Sequence, residues 1–235
     1  MITNSSPRIA FDDVGDGDTA LLFMPGWGAS RSAFRPLYEH IAASRRLLAL
    51  DWRGHGGSEP AAADFGMKDL ALDALSVLEF ARVKRVVPVG LAHAGWVAIE
   101  LRKQLGPSMV PGVVLLDWMV LGAPPAFGEA LVALQDPQKW SAVRDKLLAM
   151  WTTGVSEPRV HAFVAEMGKL GFDMWSRAGR EIARAFAAQP KPLAALAELS
   201  PSCPTLHLFA QPDDPAFLAA QRQYASAQPW FRVQR

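Results

Sequence analysis

The 235-residue chain has little of what usually declares a protein's class. It has one cysteine, Cys203, so no disulfide can close within it, and a lone thiol fits a reducing, cytoplasmic compartment. It has almost no net charge. Lys and Arg number 24 against 23 Asp and Glu, leaving +1, which removes any bulk attraction to nucleic acid or anionic membrane. It has no long apolar run. The most apolar stretch, Val110 to Leu121, is broken by Asp117 and bounded by Pro111 and Pro124, too short to span a bilayer. The start, Met-Ile-Thr-Asn-Ser-Ser-Pro, lacks the basic and apolar regions of a secretion signal. No repeat or low-complexity segment is found.

What is present is half apolar, which suits one large α/β domain with an insertion. Short apolar runs at Arg8–Val14, Thr19–Met24, Arg46–Leu50, Val86–Val89 and Val113–Leu116 read as strands, each stopped by glycine, proline or aspartate. Helical spacing separates them: Phe34, Leu37, Tyr38 and Ile41 behind a capping Ser30, then Met67–Phe80, then a helix from His93. Strands alternating with helices predict a mostly parallel sheet covered on both faces. From about residue 122 to 200 no strand-like run occurs. Helical patterns rich in Trp, Met and Ala fill this stretch and read as an inserted cap, between a core of residues 1–121 and a returning core of 201–235. There a strand at Pro204–Phe209, a helix at Pro215–Tyr224 and a strand at Trp230–Val233 are expected.

The chain is organised around Gly90-Leu91-Ala92-His93-Ala94, between an apolar strand and a helix. This is the spacing of a nucleophile elbow, small-x-nucleophile-x-small on a sharp strand-to-helix turn. Position 92, however, carries a methyl group that cannot attack a carbonyl. Two companions accompany the elbow. Phe23-Met24-Pro25-Gly26-Trp27 sits where an oxyanion loop follows an earlier strand. Asp51-Trp52-Arg53-Gly54-His55-Gly56-Gly57-Ser58 has the form Asp-x-Arg-Gly-x-Gly-x-Ser after the next one. The order and spacing of all three predict an α/β-hydrolase fold. An oxyanion hole needs backbone N–H groups, here those of Trp27 and His93, and survives the loss of serine.

A base and an acid remain to be placed. The histidines are His40, His55, His93, His161 and His207, none after the last strand, where this fold carries its catalytic imidazole; that loop is expected just beyond Arg235. The acid is Asp117, at the end of the strand after the elbow, or Asp213 or Asp214 after the penultimate strand. The last two also read as turn and helix cap in Gln-Pro-Asp-Asp-Pro. Asp117 is favoured because it ends an apolar run beside Trp118, where an idle carboxylate is costly. Trp27, Trp118 and Trp151 are expected to wall a pocket between the sheet's C-terminal edge and the cap, with Leu91 also contacting substrate.

These residues resemble the cofactor-independent 3-hydroxy-4(1H)-quinolone 2,4-dioxygenases of the α/β-hydrolase superfamily. The likeness rests on Pro25-Gly26-Trp27, Asp51-Trp52-Arg53-Gly54-His55-Gly56, His93-x-Gly95-Trp96-Val97 and Leu116-Asp117-Trp118. It extends to Asp136-Pro137-x-x-Trp140, Phe172-Asp173-x-Trp175-x-Arg177-x-Gly179-Arg180 and Gln228-Pro229-Trp230-Phe231. The resemblance implies no metal and no organic cofactor, and as partners a small aromatic substrate and O2. It implies a His–Asp dyad that deprotonates the 3-hydroxyl, and release of carbon monoxide with an N-acylanthranilate. In that chemistry Ala92 is tolerable, because no acyl-enzyme is needed. The sequence departs from the family at Ala92, where serine is usual, at Ala29, where a polar residue is usual, and in the histidine loop. Two other readings compete: an esterase or amidase disabled at residue 92, and a non-catalytic binder of aromatic ligands.

Overall fold

The computed structural model describes all 235 residues, Met1–Arg235. Its strands are β1 (Phe11–Val14), β2 (Thr19–Met24), β3 (Arg46–Leu50), β4 (Arg85–Leu91), β5 (Val113–Leu116), β6 (Thr205–Leu208) and β7 (Phe231–Gln234). They form one sheet in the order β1-β3-β2-β4-β5-β6-β7. Only β1 runs antiparallel, against β3. Parallel strands are covered on both faces, so their side chains read as nearly continuous apolar runs. Leu47, Leu48, Ala49 and Leu50 of β3 are all fully buried. β1 begins at Phe11 rather than Arg8, whose side chain pairs with Glu59 at the surface.

The helices are α1 (Arg35–Ala42), α2 (Met67–Phe80), α3 (Ala94–Met109), α4 (Pro125–Ala133), α5 (Trp140–Thr152), α6 (Pro158–Gly168), α7 (Phe172–Ala188), α8 (Pro192–Ala197) and α9 (Pro215–Ala227). Before α1 the chain makes a 3-10 turn, Arg31–Phe34. Ser30 precedes it without a side-chain cap bond, its hydroxyl being engaged by Ser32 at 2.6 Å.

The chain divides into two compact units. One holds the whole sheet: Met1–Gly26, Ser30–Leu121 and Lys191–Arg235. The other holds Trp27–Ala29 and Gly122–Pro190. The sequence drew the helical segment to residue 200. The structure ends it at 190, because α8 is tied to the sheet unit by the Leu193 N–H on the Val120 carbonyl at 3.0 Å and buries Leu193 and Leu196.

In the sheet unit, the glycine-rich loop after β3 is held by charge. Asp51, fully buried, accepts from the Arg31 and Gly57 amides, each at 2.7 Å, and from the Arg31 guanidinium. Arg53 grips Asp73 at 2.7 Å and Asp69 at 3.2 Å, and Trp52 donates to the Pro25 carbonyl at 2.7 Å. This motif therefore braces the Pro25-Gly26 turn rather than presenting chemistry. In the helical unit, α7 buries Trp175, Ala178, Gly179 and Ile182, the three-and-four spacing of one helix face.

Candidate active site

The parallel register sets two strand ends level. Leu91 of β4 pairs with Leu116 of β5, so Ala92 and Asp117 follow side by side on neighbouring strands. Both are left-handed, at φ 51° and 44°. Arg82 is the one other non-glycine residue with positive φ. That conformation costs roughly 1–2 kcal/mol per residue, and such strain gathers at sites whose surroundings over-determine it. At Ala92 the N–H is fixed on the Leu116 carbonyl at 2.8 Å, and the Gly95 N–H closes on the Ala92 carbonyl at 3.0 Å. Gly90 makes the turn possible: a Cβ there would lie 2.7 Å from the Gly95 nitrogen. The elbow keeps its full backbone geometry around a methyl group.

Asp117 sits differently from what its sequence suggests. Its side chain is exposed, so the burial argument that selected it does not hold. What fixes it is hydrogen bonding. Oδ1 accepts from the Ala210 and Gln211 amides at 2.6 and 3.2 Å, and the Asp117 N–H donates to the Leu208 carbonyl at 2.9 Å. The other two candidate acids are engaged elsewhere. Asp214 caps α9 through the Ala216 amide at 2.8 Å, and Asp213 pairs with Arg235 at 2.5 Å.

Trp118, buried, lies over Gly95, where a Cβ would come within 2.3 Å of the indole Cε3, and meets Trp96 edge-on at 4.8 Å between ring centroids. Its indole N–H is buried with no acceptor in the protein. Trp27 and Trp151 belong to the helical unit. There Trp27 donates to the Met174 sulfur at 3.2 Å, and Trp151 stacks on Trp175 at 6.5 Å. Trp27, Gly28, Leu170, Met174, Trp175 and Ala178 line a narrow apolar crevice with no room for a water molecule. A wider open groove, about 500 Å³, lies between α9 and β7 and touches no candidate residue.

The five histidines are distributed as follows. His40 and His161 are exposed, on α1 and α6. His55 is buried, with Nδ1 2.9 Å from the Arg53 carbonyl. His93 opens α3, and burial together with neighbouring His55 pushes its imidazole down to about 3, so the ring is neutral at pH 7. His207 is fully buried in β6. No group of three His, Cys, Asp or Glu side chains is placed to hold a metal ion, and no helix is long and apolar enough to cross a membrane.

The model of the alpha/beta hydrolase family matches residues 21–234. A 2-heptyl-3-hydroxy-4(1H)-quinolone dioxygenase of Mycobacteroides abscessus is 34% identical over 235 residues, covering 99% of this chain and 87% of that one. A solved structure on recognition and ring cleavage of the Pseudomonas quinolone signal, with its product bound, superposes with a TM-score of 0.94. It is 33% identical and covers 100% of this chain and 90% of its own. The 1H-3-hydroxy-4-oxoquinoline 2,4-dioxygenase of Pseudomonas putida is 27% identical, over 95% and 85% of the two chains.

The chain belongs to this quinolone dioxygenase family, within the alpha/beta hydrolases.

Of the residues the sequence put forward, Leu91, Ala92, His93, Asp117 and Trp118 come together at the ends of β4 and β5. It missed the contacts that hold Asp117 and Trp118. These come from β6 and the residues after it, roughly ninety positions along the chain. Nothing in the local pattern around His207 announces them.

Proposed function

We propose that the chain is a cofactor-free 2,4-dioxygenase that opens 2-alkyl-3-hydroxy-4(1H)-quinolones, with O2 as co-substrate and neither nucleic acid nor membrane as partner. The observation that carries this reading is the elbow. Its strained backbone is retained at Ala92, while the atom needed for hydrolysis is absent. A site that keeps the stabiliser of an oxyanion and discards the nucleophile suits a substrate that becomes the anion itself.

The 3-hydroxyl loses its proton, and the resulting anion sits over Ala92. There the first amides of α3, beginning at His93, and the positive end of the helix dipole favour negative charge. The electron-rich ring reduces O2, and C2 bonds to the first oxygen. The distal oxygen attacks C4. The O–O, C2–C3 and C3–C4 bonds then break, and C3 leaves as carbon monoxide with its own oxygen. C2 and C4 each keep one atom of O2, as the amide and carboxylate oxygens of an N-acylanthranilate. Atoms and electrons balance without a further reductant.

The 3-hydroxyl proton passes to the histidine of the His–Asp dyad that the family resemblance implies, and Asp117 is assigned to stabilise the imidazolium so formed. His93 contributes its amide and a neutral ring rather than basicity, since handing a hydroxyl proton to a group titrating near 3 is steeply uphill. Trp118 offers ring contact and its unsatisfied N–H. Trp27 and Trp151 are assigned to aromatic contact in the helical unit. The one thiol, Cys203, is buried and reduced, which suits a cytoplasmic enzyme.

The test is anaerobic titration with a 2-alkyl-3-hydroxy-4(1H)-quinolone, followed by isotopically labelled O2. One carbon monoxide per O2 consumed, unlabelled, with label in both amide and carboxylate of the product, is expected. Binding without O2 uptake, or label in the carbon monoxide, overturns the reading.

A further inference from the structure

His207 and Gln221 are fully buried, and the reaction as proposed above does not use them. His207 points from β6 into α9, with Nδ1 2.5 Å from Gln221 Oε1. The Gln221 amide is oriented in turn, its Nε2 donating to the Phe217 carbonyl at 3.4 Å. That fixes Oε1 as acceptor, so Nδ1 carries the imidazole proton and Nε2 presents a lone pair. The lone pair faces the backbone N–H of Trp118 at 3.3 Å. The ring is further set by stacking on Phe209 at 5.2 Å, and Phe209 packs edge-on against Phe217. Burial pushes His207 below the ordinary imidazole value, and the one charged group acting on it is the Asp117 carboxylate. The ring is therefore a neutral acceptor.

The left-handed Asp117 needs external restraint, and beyond the Ala92 N–H on the preceding Leu116 carbonyl the bonds that supply it come from β6 or the residues just after it: the Leu208 carbonyl, the Ala210 and Gln211 amides, and His207 on the next peptide. Of these, only the last is made by a side chain from outside the turn. The Trp118 ring has separate supports in Gly95 and Trp96. What the imidazole controls is thus the plane of the Asp117–Trp118 peptide, and through it the direction of the carboxylate.

We propose that His207, locked in one tautomer by Gln221, is a positioning residue that aims Asp117 for the ring-cleavage reaction. This rests on the dioxygenase reading, and the two are separable by experiment. The variants are His207→Phe, which keeps the stacking and loses the acceptor; His207→Gln, whose amide oxygen can take the Nε2 place; and Gln221→Leu, which leaves the ring and removes its anchor. Turnover by His207→Phe and Gln221→Leu should fall about tenfold or more, while His207→Gln stays within about threefold of the unmodified chain. Anaerobic quinolone affinity should hold within about twofold in all three, because the Trp118 ring stays put.

Turnover unchanged in His207→Phe and Gln221→Leu overturns the proposal. So does a loss shared equally by His207→Gln, or one matched by loss of binding. A variant that fails to fold is replaced by a direct measurement. Long-range proton–nitrogen NMR on the full unmodified chain should show His207 protonated at Nδ1 and bare at Nε2, and the opposite tautomer overturns the proposal. If the unmodified chain consumes no O2 with the quinolone, the dioxygenase reading fails, while the NMR result still decides the tautomer.

Discussion

Replacing Ala92 by serine puts a hydroxyl at a position whose φ of 51° is the strained elbow conformation. A hydroxyl becomes a nucleophile only with an imidazole to take its proton. His93 beside it is neutral with a depressed pKa, and His40 and His161 are exposed on their helices. Ala92→Ser should therefore change oxygenation modestly and leave p-nitrophenyl ester hydrolysis near background; efficient ester turnover would refute the site as drawn. Asp117→Asn is the complementary probe. Asparagine is nearly isosteric, keeps an acceptor for the Ala210 and Gln211 amides, and tolerates a left-handed backbone. The expected result is a fall in turnover of about a hundredfold with quinolone affinity largely kept, since only the charge is lost. Equal turnover in Asp117→Asn would move the acid elsewhere. The turn at this site was legible in the sequence, because glycine at 90 and a small residue at 94 are demanded by local backbone crowding. The environment of Asp117 was not. It is set by amides distant in the chain, whereas the sequence singled out Asp117 through burial that the structure does not show.

Among the elements, the strands and helices with strong local patterns coincide with their sequence readings: Thr19–Met24, Arg46–Leu50, Met67–Phe80 and Val113–Leu116. Helix α8 does not. Pro192-Leu-Ala-Ala-Leu-Ala has the composition of the helices before it, and contacts distant in the chain, the Val120 carbonyl and the Tyr224 hydroxyl on Leu193, assign it to the sheet unit. Helix α9 offers a clean test between the two positions for the acid. Asp214 is its N-cap, and Asp214→Ala should cost about 1 kcal/mol of stability, as cap removal typically does. Oxygen consumption at saturating quinolone should stay at the unmodified level. A collapse of turnover with an intact melting profile would return the catalytic acid to the loop after β6. The helix α3 is similarly constrained at its first turn. Gly95→Ala drives a methyl into the Trp118 ring, so a loss of about 1–3 kcal/mol and altered indole fluorescence are expected, as for an overpacked core.

Across the whole molecule, the buried imidazoles make stability depend on pH in one direction. His93 is pushed down to about 3 and His207 is also lowered, both first by burial. The unfolded chain binds protons at these residues near the ordinary value of about 6.5, whereas the folded chain refuses them. As pH falls through 6.5 the unfolded state therefore gains protons that the native state lacks, and stability declines; above that value both states are neutral and the effect vanishes. For His93 the decline approaches about 1.4 kcal/mol per pH unit until its folded pKa near 3 is reached, with His207 acting in the same sense. Asp73, raised first by burial, acts in the opposite sense, the folded chain taking its proton more readily than the unfolded one as pH falls. The informative window lies between neutrality and about pH 5.5, where an ordinary imidazole takes up its proton. Urea unfolding at pH 7 and 5.5 should differ by at least about 1 kcal/mol, with an unchanged m-value. Equal midpoints would mean that His93 and His207 accept protons in the folded chain. The neutral ring that the site and the His207–Gln221 pair both require would then be absent.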